Sequence, residues 1–550
     1  METDQSALLE APAAFGPEPH GTIPQTAAHG ARGGSGHRSE AGELAQGPPA
    51  RKGPLATFSR PRNTARCSPV LSLTPVFRVL GGLLIAFSAL MLAPLLVSSA
   101  LLSRPGSDFI LSALATAFCG LTLIALSPAS GAIELNRRQG FLITALAWTL
   151  LPAFGALPLL GHGLTPTNAF FEAVSAMTTT GATVMTGLDA TAAPILLWRS
   201  MMQAIGGVGV IVLGIIMMPF LRVGGMQLFY TESSDKSEKI VAKAFDLAIW
   251  IFGIFVLLMA LCAGIYRALG MSWFDAINHA LTTVSTGGFS THDASFGYFA
   301  SSAMMWTAVV FMIAGALPFV AFIRIARGKV GAFLTDIQLR AFLMFLAMSA
   351  VIVAVTRSLR SDTPFGEALT SSTFNIVSIV TTTGYASEDY QLWGPFAVGA
   401  FFILTFVGGC SGSTAGGVKI YRFQILARLA AAHLSRIISP NRVHPVLYHD
   451  RRVEDDVAFS ILSFLAVMLF ALIAGTFLLA WMGVDLVTAL TGSATALANV
   501  GPGLGEIIGP AGNFQPLPDA AKWLMCFMMV LGRLEFFTIL VLFMPAFWRS

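Results

Sequence analysis

From Val76 onward the chain alternates long apolar runs with short polar joints. About 20 apolar residues are enough to cross a membrane once, and ten runs qualify: 76–102, 107–127, 139–160, 193–221, 246–266, 299–323, 339–356, 392–434 with an interruption, 457–483 and 519–547. Four shorter stretches, near 168–180, 273–286, 366–383 and 486–500, lie between them. They are too short to span, and their length predicts re-entrant half-helices. Each runs into a loop carrying glycine: Thr178–Thr183, Val284–Phe289, Val380–Tyr385 and Ala498–Gly503. From residue 139 the order is span, half-helix, glycine loop, span, repeated four times. The last loop has lost the threonines of the others and ends in a Pro-Gly turn.

This pattern predicts an all-α membrane protein of ten transmembrane helices, with four pseudo-repeated units around one pore and two extra helices in front. The boundaries expected are a disordered cytoplasmic tail at 1–71, the two extra helices at 72–131, and pore repeats at 132–225, 226–330, 331–450 and 451–550. The tail is rich in Ala, Gly, Pro and Ser and has no apolar periodicity. Its early acids, among them Glu2, Asp4 and Glu10, speak against a transit peptide.

Composition agrees with a membrane class. The 550 residues are 55% hydrophobic and 11% charged, where a soluble protein is roughly a quarter charged. The 53 glycines suit close helix packing. A net charge of +4, divided among loops, gives no footprint for nucleic acid. Five scattered cysteines without a CxxC pair support neither a disulfide framework nor a metal site. Without a P-loop or HExxH motif, an ATP-driven pump and a zinc protease are disfavoured, and no enzyme activity is expected. Gly207 and Gly209 lie inside an uncharged span with no strand before them, so they read as helix-packing residues.

Basic residues set the orientation. Arg60, Arg62, Arg66 and Arg78, Arg137 and Arg138, Lys236, Lys239 and Lys243, Arg324, Arg327 and Lys329, and Arg436, Arg442, Arg451 and Arg452 fall on one side if both termini are cytoplasmic. Arg199, Arg267, Arg357 and Arg360 fall on the other, so the rule holds by majority. The glycine loops then face outward.

The loops are the candidate site. Turning successive carbonyls toward an axis requires residues at positive φ, which glycine adopts without steric cost, and rings of carbonyls replace an ion's hydration shell in potassium filters. The candidate ion ligands are Thr179, Thr180, Gly181 and Ala182; Ser285, Thr286, Gly287 and Gly288; Thr382, Thr383, Gly384 and Tyr385; and Asn499, Val500, Gly501 and Pro502. The acids Glu172, Asp275, Glu367 and Asp485 read as favourable charges near half-helix N-termini. The run Gly408–Gly417 interrupts the eighth crossing with a composition that cannot hold a helix; it lines water or is buried in protein, or it is a cytoplasmic turn. Arg533 sits near the middle of the last run, where a charge costs at least about 2.5–3.5 kcal/mol. Glu535, two positions on, falls on another helix face, so mutual neutralisation is the weaker account.

The residues resemble a known family. The segments Gly287–Asp293, Thr382–Tyr385, Trp198-Arg199, Gly206–Gly209, Gly224–Leu228 and Gly408–Arg422 resemble the membrane subunit of Trk-type potassium uptake systems, in the superfamily with Ktr and plant HKT transporters. The resemblance covers nearly everything after residue 75, and the two leading helices place it with the Trk branch. It implies one chain with four repeats around a pore, homodimerisation, and potassium as the transported ion, with no catalytic or covalently held cofactor. Gly181 stands where a serine goes with sodium transport in plant relatives. The resemblance also implies an intramembrane gate at Gly408, Gly409, Gly412, Gly416, Gly417 and Lys419, and an electrostatic barrier at Arg533. A separate cytoplasmic NAD- or nucleotide-binding Trk-type subunit would regulate it, docking on loops such as 222–243 and 435–453. The expected location is the bacterial inner membrane, among lipids. The rival reading is a secondary symporter coupling potassium to sodium or protons, for which Glu535 is the one good buried acid.

Overall fold

The computed structural model describes residues 72–97, 104–127, 135–217, 238–441, 445–448 and 451–549. The tail at 1–71, most of the 222–243 loop with Gly224–Leu228, and parts of 435–453 lie outside them. In chain order the helices are α1 Thr74–Leu90, α2 Arg104–Ala125, α3 Arg137–Gly155, α4 Leu157–Gly161, α5 Pro166–Met177, α6 Ala193–Met217, α7 Glu238–Ala268, α8 Trp273–Val284, α9 Ser302–Ala316 and α10 Phe319–Ala326. They continue with α11 Val330–Leu334, α12 Ile337–Arg360, α13 Phe365–Val380, α14 Pro395–Leu404, α15 Ile420–Ile438, α16 Asp455–Trp481, α17 Leu486–Ala498, α18 Asp519–Arg533, α19 Phe537–Leu540 and α20 Pro545–Trp548. Two-residue strands β1 Val407–Gly408 and β2 Val418–Lys419 pair in parallel. Strands β3 Leu447–Tyr448 and β4 Arg451–Arg452 pair antiparallel.

Seven helices among the described residues are long and apolar enough to cross a membrane. Two expected crossings are instead broken. The sixth bends by 96° between α9 and α10, and the last by 106° after α18. At the first break Pro318 has no N–H to continue the ladder; at the second, Glu535 and Phe536 take positive φ of 56° and 48°, which a helix does not tolerate. The eighth run stops at Leu404 and resumes at Ile420.

The four short stretches are helices α5, α8, α13 and α17. Three start on a side-chain cap: Thr165, Ser272 and Asp485 accept the N–H groups of Asn168, Asp275 and Thr488, satisfying amides that the first turn leaves free. Small residues then let the next crossing approach. A Cβ at Gly206 would lie 1.9 Å from the Met177 carbonyl oxygen, one at Gly315 2.5 Å from that of Val284, and one at Gly532 2.0 Å from that of Leu497. Each crossing glycine thus abuts the C-terminal end of a short helix.

Two large apolar cores hold the bundle, beside a smaller cluster of Tyr421, Ile425, Tyr448, Val453 and Ile461. One gathers Phe87, Phe171, Trp198, Phe464 and Met525, joining α1, α5, α6, α16 and α18. The other gathers Phe255, Phe319, Phe342, Phe374 and Phe401 from the middle of the chain. Because α18 packs on α5, the last quarter of the chain closes against the first.

Candidate ion-conducting site

Each short helix ends in the same way. The N–H groups of Thr180, Gly287, Thr383 and Val500 donate to the carbonyls of Ser175, Thr282, Ser378 and Thr495 at 2.9, 2.8, 2.8 and 3.1 Å. This is the five-back bond of a helix closed by a left-handed residue. That residue is Thr179, Thr286, Thr382 or Asn499, with φ of 52°, 52°, 57° and 55°. A β-branched residue in this region is a strained outlier that its surroundings must hold in place. Two residues later Gly181, Gly288, Gly384 and Gly501 take φ of 82°, 78°, 84° and 109°.

This shared conformation sets the register, and it differs from the sequence window in one loop. Ser285 is the helix cap, at φ −75°, so the equivalents of Thr179–Ala182 are Thr286, Gly287, Gly288 and Phe289. Serine at 285 looks like part of a threonine motif in sequence, but the hydrogen-bonding pattern places it one step earlier.

The four glycines close a ring. A Cβ on Gly181 would lie 2.3 Å from the Gly287 carbonyl oxygen, one on Gly288 1.8 Å from that of Thr383, one on Gly384 2.1 Å from that of Val500, and one on Gly501 2.8 Å from that of Thr180. Every loop therefore seats its glycine on the carbonyl just before the next loop's glycine, and the fourth returns to the first. Only a residue without a Cβ fits at such distances. The C-terminal ends of four helices, each carrying partial negative charge, converge behind these carbonyls. Such an arrangement favours a cation at the centre.

Side chains behind the ring are hydroxyl-rich in a way the sequence reading missed. Ser175, Thr282, Ser378 and Thr495 occupy one equivalent position, five residues before the ring carbonyl. Ser378 donates to the carbonyl of Tyr385 at 2.7 Å, and Thr282 lies 2.5 Å from the Tyr385 hydroxyl. Counting back five from each carbonyl finds this set, once the register is known.

Glu172 is not a helix-start charge. It is fully buried in the second half of α5, accepts from Arg199 Nε at 2.8 Å, Thr183 Oγ1 at 2.9 Å and Val184 N at 2.9 Å, and so ties the segment leaving the first loop to α6. Asp275 and Asp485 do stand at their helix starts, and Glu367 lies in the first turn of α13.

The segment between α14 and α15 lies against the ring from the side of the helix breaks. Thr286 Oγ1 donates to Thr414 Oγ1 at 3.1 Å, Gly416 N donates to Thr382 Oγ1 at 2.7 Å, and Gly417 N donates to the Ala498 carbonyl at 2.8 Å. Gly408 and Gly409 pack on Gly416 and Ala415, with Cβ positions 2.1 Å from the Gly416 carbonyl oxygen and 2.8 Å from the Ala415 Cβ. At the turn, Gly412 takes φ 74° and its carbonyl accepts from Phe319 N at 3.0 Å. Loops two, three and four are engaged; the hydroxyl of Thr179 in loop one is buried with no partner among the described residues.

Two cations hold neighbouring carbonyls of this segment. Arg533 donates from Nη1 to the Thr414 carbonyl at 2.8 Å, and Lys419 Nζ donates to that of Ala415. Arg533 is the last residue of α18, at the bend, rather than inside a continuous span. Its Nε and Nη2 have no partner among the described residues. Glu535 pairs with Arg422, at 2.7 Å, not with Arg533. Arg422 also lies over the Phe464 ring, 3.7 Å from its centroid.

Four loops seated on one another inside a bundle of membrane-length helices accompany relatives that are cation transport proteins and not enzymes. The chain belongs to the TrkH family, described as cation transport proteins, whose signature matches residues 108–550. Among its relatives, the Trk system potassium uptake protein TrkI of Halomonas elongata is 45% identical over 86% of this chain and 97% of that protein. TrkH of Vibrio parahaemolyticus, also named a Trk system potassium uptake protein, is 36% identical over 86% of this chain and 99% of its own length. The crystal structure of the potassium transporter TrkH from Vibrio parahaemolyticus superposes with a TM-score of 0.79 at 34% identity, covering 87% of this chain and all of that one.

Proposed function

We propose that this protein takes up potassium through the carbonyl ring formed by its four loops. The observation that carries the reading is the cyclic seating of Gly181, Gly288, Gly384 and Gly501 on the carbonyls of Gly287, Thr383, Val500 and Thr180. Carbonyl oxygens at fixed positions replace the water shell of an ion, and four converging helix ends add negative potential. In this reading the filter ligands are Thr179–Ala182, Thr286–Phe289, Thr382–Tyr385 and Asn499–Pro502.

The segment 405–419 is the gate. It occupies the space against three of the four loops, and Arg533 and Lys419 hold two of its carbonyls. Arg533 also adds positive charge to the path, a barrier that slows a cation without excluding it. The architecture proposed is ten crossings, counting each bent pair and the interrupted α14–α15 as one, in four repeats starting near residues 132, 226, 331 and 451. Both termini face the cytoplasm in a bacterial inner membrane, the whole subunit pairs with a second copy, and a cytoplasmic NAD- or nucleotide-binding subunit docks on the basic inner loops, including the β3–β4 pair with Arg452. Coupled symport is the weaker account, because its best proton acceptor, Glu535, is already paired with Arg422.

Reconstitution into liposomes tests the reading. Reversal potentials with potassium, sodium and proton gradients varied separately are expected to follow potassium alone. A reversal potential that tracks the proton or sodium gradient would overturn the channel reading in favour of coupling.

A further inference from the structure

We propose that Gln203 is a specificity-determining positioning residue that takes the place, from α6, of a side chain the second loop lacks; this rests on the filter reading above. At the ring-carbonyl position the loops carry Thr180, Gly287, Thr383 and Val500, so only the second has no side chain there. In loops one and three the threonine at this position meets the hydroxyl two residues earlier, Thr178 to Thr180 at 2.7 Å and Thr381 to Thr383 at 2.8 Å. Loop two instead has two consecutive glycines, the pair with the most conformational freedom to lose.

The fully buried Gln203 side chain fills that gap. Its Nε2 donates to the Gly287 carbonyl at 2.6 Å, and its Oε1 accepts from Phe289 N at 3.1 Å. The amide therefore spans the left-handed Gly288, holding the backbone on both sides of it. Its orientation is fixed chemically, since a flipped amide would set oxygen against carbonyl and N–H against N–H. A Cβ on Gly287 would lie 2.4 Å from Gln203 Cδ and 2.9 Å from Cγ, and its three nearest neighbours are all Gln203 atoms. Gly287 is not at positive φ, so what excludes a side chain there is Gln203 itself. The Gly287 oxygen is also the one on which Gly181 sits, and its position enters the filter directly.

The test follows from that reciprocity. Gln203→Ala, and Gln203→Met as the volume-keeping variant, are expected to lower the potassium-to-sodium permeability ratio about fivefold, the loss of roughly one hydrogen bond's worth of restraint. Gly287→Thr alone is expected to be poorly tolerated. Gly287→Thr combined with Gln203→Ala is expected to recover the ratio to within about twofold, a non-additivity that contacting sites show. A role in packing alone would lower melting temperature and leave the ratio unchanged in folded protein. That result, a double variant no better than Gln203→Ala, or failure of all these variants to fold would each overturn the proposal. A wild-type ratio near one would remove the filter reading and this proposal together, whereas a selective wild type with unaltered variants removes only the role of Gln203.

Discussion

Arg533 and Thr414 are joined by a 2.8 Å hydrogen bond from guanidinium Nη1 to backbone carbonyl, which ties the end of α18 to the segment lying against the carbonyl ring. The same arginine leaves two N–H groups without a partner among the described residues. A charge at membrane depth persists where it faces a water-filled cavity or a polar partner, and this sets the first expectation. Arg533→Ala releases the segment and removes a charge whose repulsion on a cation about 4 Å away is near 4 kcal/mol at an effective dielectric of 20, less in a wet pore. Tracer potassium uptake is expected to rise severalfold with ion preference unchanged, while Arg533→Lys keeps most of the barrier. Unchanged uptake in stable protein would defeat the barrier role, and a much lower melting temperature would make Arg533 a structural tie.

Removing Gly412–Gly416 takes away Thr414 and Gly416, the residues that reach Thr286 and Thr382. Flux is expected to increase. Abolished flux in correctly inserted protein would mean that the segment supports the loops.

Gly181→Ser places a Cβ where the Gly287 carbonyl lies 2.3 Å away, at φ 82°. The carbonyl must move, and selectivity is expected to shift toward sodium. The measurement is the reversal potential in mixed potassium and sodium; an unaltered ratio would show that the ring absorbs the extra atoms.

Breaking the Arg199–Glu172 pair, whose side chains are 1% and 0% exposed, leaves a buried charge alone. Arg199→Ala is expected to cost about 3–5 kcal/mol, seen as a lower melting temperature in detergent. Glu172→Gln keeps an acceptor for Val184 and Thr183 but removes the arginine's counter-charge, leaving it the Ser290 carbonyl and the Thr183 hydroxyl, so it too is expected to destabilise. A melting temperature equal to wild type in both would deny the pair any structural role.

In the segments that leave the first and second glycine loops, the hydrogen bond from His292 holds the Asp189 carboxyl below its ordinary value of 3.8. A lowered folded value means stability that is present above about pH 4 and lost as pH falls further, through the folded value. Asp189 is half-exposed, so solvent screens the effect. Melting temperature measured from pH 6 down to pH 3 is expected to fall less steeply in Asp189→Asn than in wild type; identical slopes would rule the pair out.

The class of the molecule, and the position of its four short helices and glycine turns, were legible in the sequence. Apolar run length depends only on local composition, and it located the four short helices to within about three residues. Glycine before a turn is equally local, so Gly181, Gly384 and Gly501 were legible. The second loop was not, because Gly287 and Gly288 are equivalent in one dimension and only the five-back hydrogen bond to Thr282 separates them. What the tertiary structure decided are relationships across the chain. Helix α18 closes on α5, Gly501 sits on the Thr180 carbonyl, and Glu535 pairs with Arg422 although Arg533 is nearer in sequence. Pro318 is a local mark of a break, but hydropathy counts apolar residues whatever direction the backbone takes, so neither its bend, whose freed carbonyls accept from Cys410 and Thr414, nor the one at Glu535 shows in the count. Gln203 is the clearest case. Nothing near it in sequence asks for an amide; the need arises 84 residues away, from a glycine whose missing side chain it replaces.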